Sequence, residues 1–201
     1  MIDAAERIGA VHGFGALTLR HVQEVAGQRN KSAAHYHFGS RDGLIEAVLE
    51  SRMAPVNQRR QRLLAELADP PPLAQLVAAL VVPLAEAALS PGSHWARFLF
   101  HGWADPQVRV VVQRSLEASS YRQVRELLVA PLSDIPEPVR RRRTEQLVGL
   151  VVLSLAAAEG AGGRVACDLP VEAQLSDLIE VGCALLTAPV SPDTVAHAST
   201  T

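Results

Sequence analysis

Apolar positions along this chain recur at intervals of three and four. Leu19, Val22, Val25 and Ala26 fall on one helical face, and Leu175, Leu178, Ile179, Leu185 and Leu186 on another, the spacing that gathers side chains on one side of a 3.6-residue turn. Alternating β-branched stretches of the kind that build half-buried strands are missing. The pattern predicts an all-α fold. Glycine and proline punctuate it at Gly13 to Gly15, Gly27, Gly39, Pro70 to Pro72, Pro91-Gly92, Pro106, Pro136 to Pro138, Gly160 to Gly163 and Pro189, and about nine helices fit between these breaks. The longer ones are expected near 41–67, 73–89, 94–103, 106–130, 137–160 and 171–187.

The texture changes near residue 45, from short helices to long ones. That predicts a compact N-terminal module over 1–45, a larger helical body over 46–188 and, over 189–201, a Ser-, Thr- and Pro-rich tail that is frayed and disordered. With 201 residues, 48% hydrophobic and 20% charged, the chain has enough apolar material for a core, which excludes wholesale disorder. Cys167 and Cys183 are too few for a disulfide framework, so a reducing, cytoplasmic setting is expected. The first residues lack the basic flank and apolar run of a secretory signal. The longest apolar run, Leu147 to Ala158, is shorter than the ~20 residues that a bilayer requires, so no membrane insertion is expected.

The strongest functional signal lies at residues 18–38. Thr18 can cap a helix, Gly27 can end it, and a second short helix follows from about Asn30 to Tyr36, which together make a helix, a tight turn and a helix. The second helix is unlike a core element. Asn30, Lys31, Ser32, His35, Tyr36 and His37 are polar or amphipathic, and Ala33 and Ala34 are small. Small residues let a helix backbone approach a duplex, while donors and acceptors meet base edges and phosphates. From 19 to 41, Arg20, Arg29, Lys31 and Arg41 face only Glu24, in a chain whose net charge is −2. Any attraction for nucleic acid is therefore local. A solvated surface helix is the alternative that charge alone leaves open. His35 and His37 could suggest a metal, but residues two apart on a helix diverge by about 200° and no third ligand is near in sequence. No metal or other cofactor is expected.

The order Ala4-Ala5, Gly13-Phe14, Thr18, Val22, Ala26-Gly27, Tyr36-His37-Phe38, Ser40-Arg41 and Leu44 resembles the DNA-binding domain of TetR-type transcriptional regulators. The resemblance covers about a quarter of the chain. It implies a three-helix head whose third helix reads the major groove, joined by a long fourth helix to a ligand-binding and dimer-forming body. Carried over by position, it places Thr18 and Arg20 on phosphates and Lys31 and Ser32 in the groove. His35, Tyr36 and His37 lie along the reading helix, Arg29 and Asn30 in the turn, and Arg41 on a phosphate beside the fourth helix. Phe38 belongs to the wall behind the reading helix. The sequence departs from the pattern in three places. Gln28-Arg29 replace the apolar residue after the turn, the distance from Gly27 to Phe38 is one residue longer than commonest, and Gly9 stands where a large aromatic is usual. Glycine fills no volume and costs ~1 kcal/mol in a helix, which predicts an underfilled head core. A basic arm ahead of the first helix is also missing, which places the burden of DNA affinity on helices 2 to 4.

The body shows no nucleophile elbow, phosphate loop or other catalytic spacing, so no catalytic residue and no enzymatic activity are expected. Two Trp, two Phe and two His crowd between Ser93 and Trp103. This cluster is read either as core packing or as the wall of an effector pocket formed by Trp95, Arg97, Phe98, His101, Trp103 and Tyr121. Arg140 to Arg143 open the eighth helix at its positive end, where cations are unfavourable unless solvated or paired. A solvated face is expected there. The apolar surfaces of the eighth and ninth helices are too extensive for water, and the resemblance assigns them to a homodimer interface. The function so implied is a dimeric, ligand-responsive regulator, a repressor, that binds a palindromic double-stranded DNA operator. The alternative is a helical small-molecule-binding or enzymatic protein with a vestigial head.

Overall fold

The computed structural model describes all residues except 31, 118–119, 161–168 and 199–201. It is all-α, with eleven α-helices and no strand among the described residues. In order they are α1 (Ile2–His12), α2 (Leu19–Val25), α3 (Ala33–Phe38), α4 (Arg41–Ala65), α5 (Leu73–Ala88), α6 (Trp95–Ala104), α7 (Pro106–Glu117), α8 (Ser120–Val129), α9 (Glu137–Gly160), α10 (Val171–Thr187) and α11 (Pro192–Ala198). Short 3-10 turns follow α1 and α8.

Two elements exceed the expected nine. The stretch expected as one helix over 106–130 is described as α7 and α8, with residues 118–119 between them outside the described residues. In the tail expected to be disordered, Pro192–Ala198 forms a helix. Ser191 Oγ accepts the Thr194 backbone N–H at 3.2 Å, and proline at the first helical position has no N–H to leave unpaired. No single described helix is long and apolar enough to cross a membrane.

One apolar core runs from Ala5 of α1 through Leu44, Val48 and Leu49 of α4 to Leu147 of α9 and Leu186 of α10. α6 packs extensively on both α1 and α9. The expected void at Gly9 does not occur. Phe98 of α6 fills it, so that a Cβ at Gly9 would lie 2.7 Å from the ring. The same ring meets Phe14 edge-on at 4.9 Å and stacks on Trp95 at 5.9 Å.

Two buried carboxylates hold the start of α6, where backbone N–H groups have no helical partner. Glu6 of α1 accepts the His94 N–H at 2.9 Å and pairs with Arg52 of α4. Glu159 of α9 accepts the N–H groups of Ala96 at 3.0 Å and Arg97 at 2.9 Å, together with the Arg97 side chain. α5 runs through Pro83, which lacks the N–H that would bond the Ala79 carbonyl. Arg60 Nε of α4 takes that carbonyl instead, at 3.2 Å.

The arginine run is not simply a solvated face. Arg141 pairs with Glu137 at 2.8 Å and Arg142 with Glu145 at 3.7 Å. Arg143 donates to the Leu186 carbonyl at 2.9 Å and the Pro189 carbonyl at 3.3 Å, a cation at the negative end of α10.

Candidate nucleic-acid interface

α2 begins where Thr18 Oγ1 accepts the His21 N–H at 3.2 Å, the capping bond that its residue type favours. Its turn to α3 passes through Gly27 at φ 64°, a conformation that costs glycine little and other residues more. α3 starts at Ala33 rather than near Asn30. The reason is local competition for backbone groups. Asn30 Oδ1 accepts the Ser32 N–H at 3.0 Å, Asn30 N donates to Gln28 Oε1 at 3.1 Å, and Gln23 Nε2 donates to the Asn30 carbonyl at 2.9 Å. Gln23 is buried. Its bracing role was invisible in sequence, because glutamine usually faces water. Val25 and Ala26, expected inward, are exposed.

Ala33 does not belong to the DNA-facing set. It is 6% exposed and Ala34 fully buried, so their small size serves the packing of α3 on α2 instead of an approach to a duplex. The outward face of α3 carries Ser32, His35, Tyr36 and His37, all exposed. Tyr36 reaches 85% and meets the His37 ring edge-on at 5.3 Å, while Phe38 is half-buried against the core. An exposed tyrosine on a short helix brings no packing benefit to the fold, yet offers a ring and a hydroxyl to a partner.

Around this face, Thr18, Arg20, Arg29 and Asn30 are exposed. Arg20 pairs with Glu24 at 2.9 Å in full solvent contact, a bond weak enough to be exchanged for a phosphate. Arg41 is half-buried and donates Nη2 to the Phe14 carbonyl at 2.9 Å, which ties the start of α4 to the turn after α1. Lys31 lies outside the described residues. Among the described residues no three metal-ligating groups cluster.

The six residues nominated for an effector wall divide. Trp95 and Phe98 are core residues, at 1% and 0% exposure. Arg97 is committed to Glu159, and His101 is half-buried against Phe100. Only Trp103 and Tyr121 meet across an open cleft, of about 700 Å³, with Arg125, Glu137 and Arg141 at its rim. A second surface is apolar. Leu150 and Leu153 of α9 and Leu175, Leu178 and Val181 of α10 line a shared groove, in which Leu153 and Val181 are exposed.

Residues 1–48 match the family described as bacterial regulatory proteins, tetR family. Among solved structures, the chain is similar to the crystal structure of Mycobacterium smegmatis AmtR, at 18% identity and a TM-score of 0.53, over 99% of this chain and 90% of that one. At this identity the likeness is one of fold. Curated proteins give no significant match.

Proposed function

We propose that this chain, whose residues 1–48 match the tetR family of bacterial regulatory proteins, acts as a homodimeric, ligand-responsive repressor of a palindromic DNA operator. The observation that carries the reading is the outward face of α3, where Ser32, His35, Tyr36 and His37 stand exposed beside Arg20 and Arg29 while Ala33 and Ala34 anchor the helix from behind. In this reading α3 enters the major groove. Thr18, Arg20 and Arg41 meet phosphates, the rest of the Arg41 fork being available beyond its bond to Phe14.

The apolar groove of α9 and α10 supports a two-fold dimer through these helices, since such a surface is unfavourable in water. Two heads then present their reading helices to successive half-sites. A small molecule held in the body acts by preferring a dimer whose heads no longer fit both half-sites, with coupling of ~1–3 kcal/mol. Operation in the cytoplasm follows from the DNA partner.

Selection of bound sequences from random duplex DNA tests this directly. A palindromic consensus is expected, with affinity falling steeply as salt rises. A His35→Ala, Tyr36→Ala double variant is expected to lose at least tenfold in affinity. Failure to enrich any palindrome, or unchanged binding by the folded double variant, overturns the reading.

A further inference from the structure

Arg60 is only 1% exposed, yet the acceptors it reaches among the described residues are neutral. Nε donates to the Ala79 carbonyl at 3.2 Å, and Nη1 donates to Asn57 Oδ1 at 3.0 Å and Ser120 Oγ at 3.2 Å. Arg52, Arg59, Arg97 and Arg114 each pair with a carboxylate. Arg60 pairs with none among the described residues. Burial pushes its guanidinium down to about 10, in keeping with a cation held out of water without a counter-ion. Pro83 explains why a donor is needed at the Ala79 carbonyl, but a neutral amide would serve there. Tyr121 offsets part of the cost of burying the charge, and no carboxylate among the described residues pairs with it.

Arg60 borders a small, partly enclosed apolar cavity walled by Leu80, Leu84, Val148 and Val152. The cavity holds about 20 Å³, room for roughly one water. Two further wall residues, Trp103 and Tyr121, also line the open cleft of about 700 Å³, a volume typical of small-molecule sites. They therefore partition the guanidinium from the cleft. The cleft rim carries both signs, with Arg125 and Arg141 beside Glu126, Glu137 and Glu145, and gives no strong preference for an anion.

We propose that the effector is an amphipathic carboxylate, an apolar chain or ring with one anionic end, which passes between Trp103 and Tyr121 and pairs with Arg60. The inference rests on the ligand-responsive reading above and names the class of ligand. Guanidinium and carboxylate match in geometry, and the leucine and valine walls take the apolar part. Parting Trp103 from Tyr121 moves a residue of α6. α6 is also the helix that seats Phe98 on Gly9 of the head, so the ligand acts on the element that joins body to head.

The test is calorimetric titration of the purified full-length protein with octanoate, 4-phenylbutyrate and the amide of each, followed in parallel by tryptophan fluorescence. At least one acid is expected to bind ten times more tightly than its amide. Arg60→Gln keeps a donor for the Ala79 carbonyl without the charge, and is expected to abolish that preference. Arg125→Gln and Arg141→Gln at the rim are expected to preserve it. Equal binding of acid and amide overturns the proposal, as do a preference that survives Arg60→Gln, one that either rim variant removes, and absence of binding by all four compounds. Should Arg60→Gln fail to fold, the acid-to-amide ratio in the natural chain and the two rim variants decide. None of these results touches the ligand-responsive reading, which fails separately if no compound in a broad metabolite screen releases the protein from its selected operator.

Discussion

Phe98 of α6 occupies the space that Gly9 of α1 leaves open, with its ring 2.7 Å from where a Cβ would stand. Phe98 is wholly buried and stacked on Trp95, so the ring has no room to retreat. Gly9→Ala is expected to destabilise by ~1–3 kcal/mol through overpacking. In a Phe98→Ala background, itself costing ~3–5 kcal/mol, the same change should become neutral or stabilise by up to ~1 kcal/mol, the helix preference of alanine over glycine. A double-mutant cycle in urea measures this reversal of sign.

Glu159 holds the first turn of α6 through two backbone N–H groups and Arg97. Its replacement by alanine leaves those donors and a half-buried guanidinium unpaired, at an expected cost of ~3 kcal/mol. Glu159→Gln should cost less, because one acceptor oxygen survives. Equal stability of both variants and the natural chain in denaturant melts would show that the cap is dispensable.

Tyr36 and Arg41 separate binding from folding. Tyr36→Ala should leave stability within ~0.5 kcal/mol, as for exposed positions in general, while weakening operator binding at least tenfold. Arg41→Ala should lower both, the loss of its bond to the Phe14 carbonyl costing ~1 kcal/mol. Thermal melts beside fluorescence-anisotropy titrations resolve the two effects.

If the α9 and α10 groove joins two protomers, charges placed in it will part them. Leu153→Arg combined with Val181→Arg replaces two exposed apolar groups lining the groove with like charges, and sedimentation is expected to report a folded monomer. A dimer that persists in the double variant would locate the interface elsewhere.

Cys183 of α10 is half-buried, and burial, aided by Glu180, pushes its thiol above the ordinary value. A thiol whose folded pKa exceeds the unfolded one contributes stability below the unfolded pKa near 9 and loses it as pH rises through the folded value. In a Cys167→Ser background, alkylation of Cys183 at pH 8 should be slower than that of a cysteine peptide, and its rate profile should be displaced to higher pH. A profile matching the peptide would rule out the burial effect.

What could be read in the chain was local chemistry. The Thr18 cap, the glycine at the turn and the half-buried Phe38 each follow from rules acting over a few residues. The direction of Ala33 is not legible locally, because a small residue suits both a duplex and a tight helix contact, and the shifted start of α3 turns it inward. The buried roles of Glu6, Arg60 and Glu159 depend on partners far along the chain, such as the His94 N–H that Glu6 accepts from 88 residues away. Phe98 could be recognised as apolar, but nothing local states that its ring belongs to a glycine in another helix.

The core that continues from Ala5 to Leu186 has a bearing on genetics. Because head and body share that interior, they should melt in one cooperative transition, and loss-of-function alleles should arise throughout the body as well as on the outward face of α3. Many of them will encode chains whose DNA-facing residues are intact and whose defect is abundance at growth temperature.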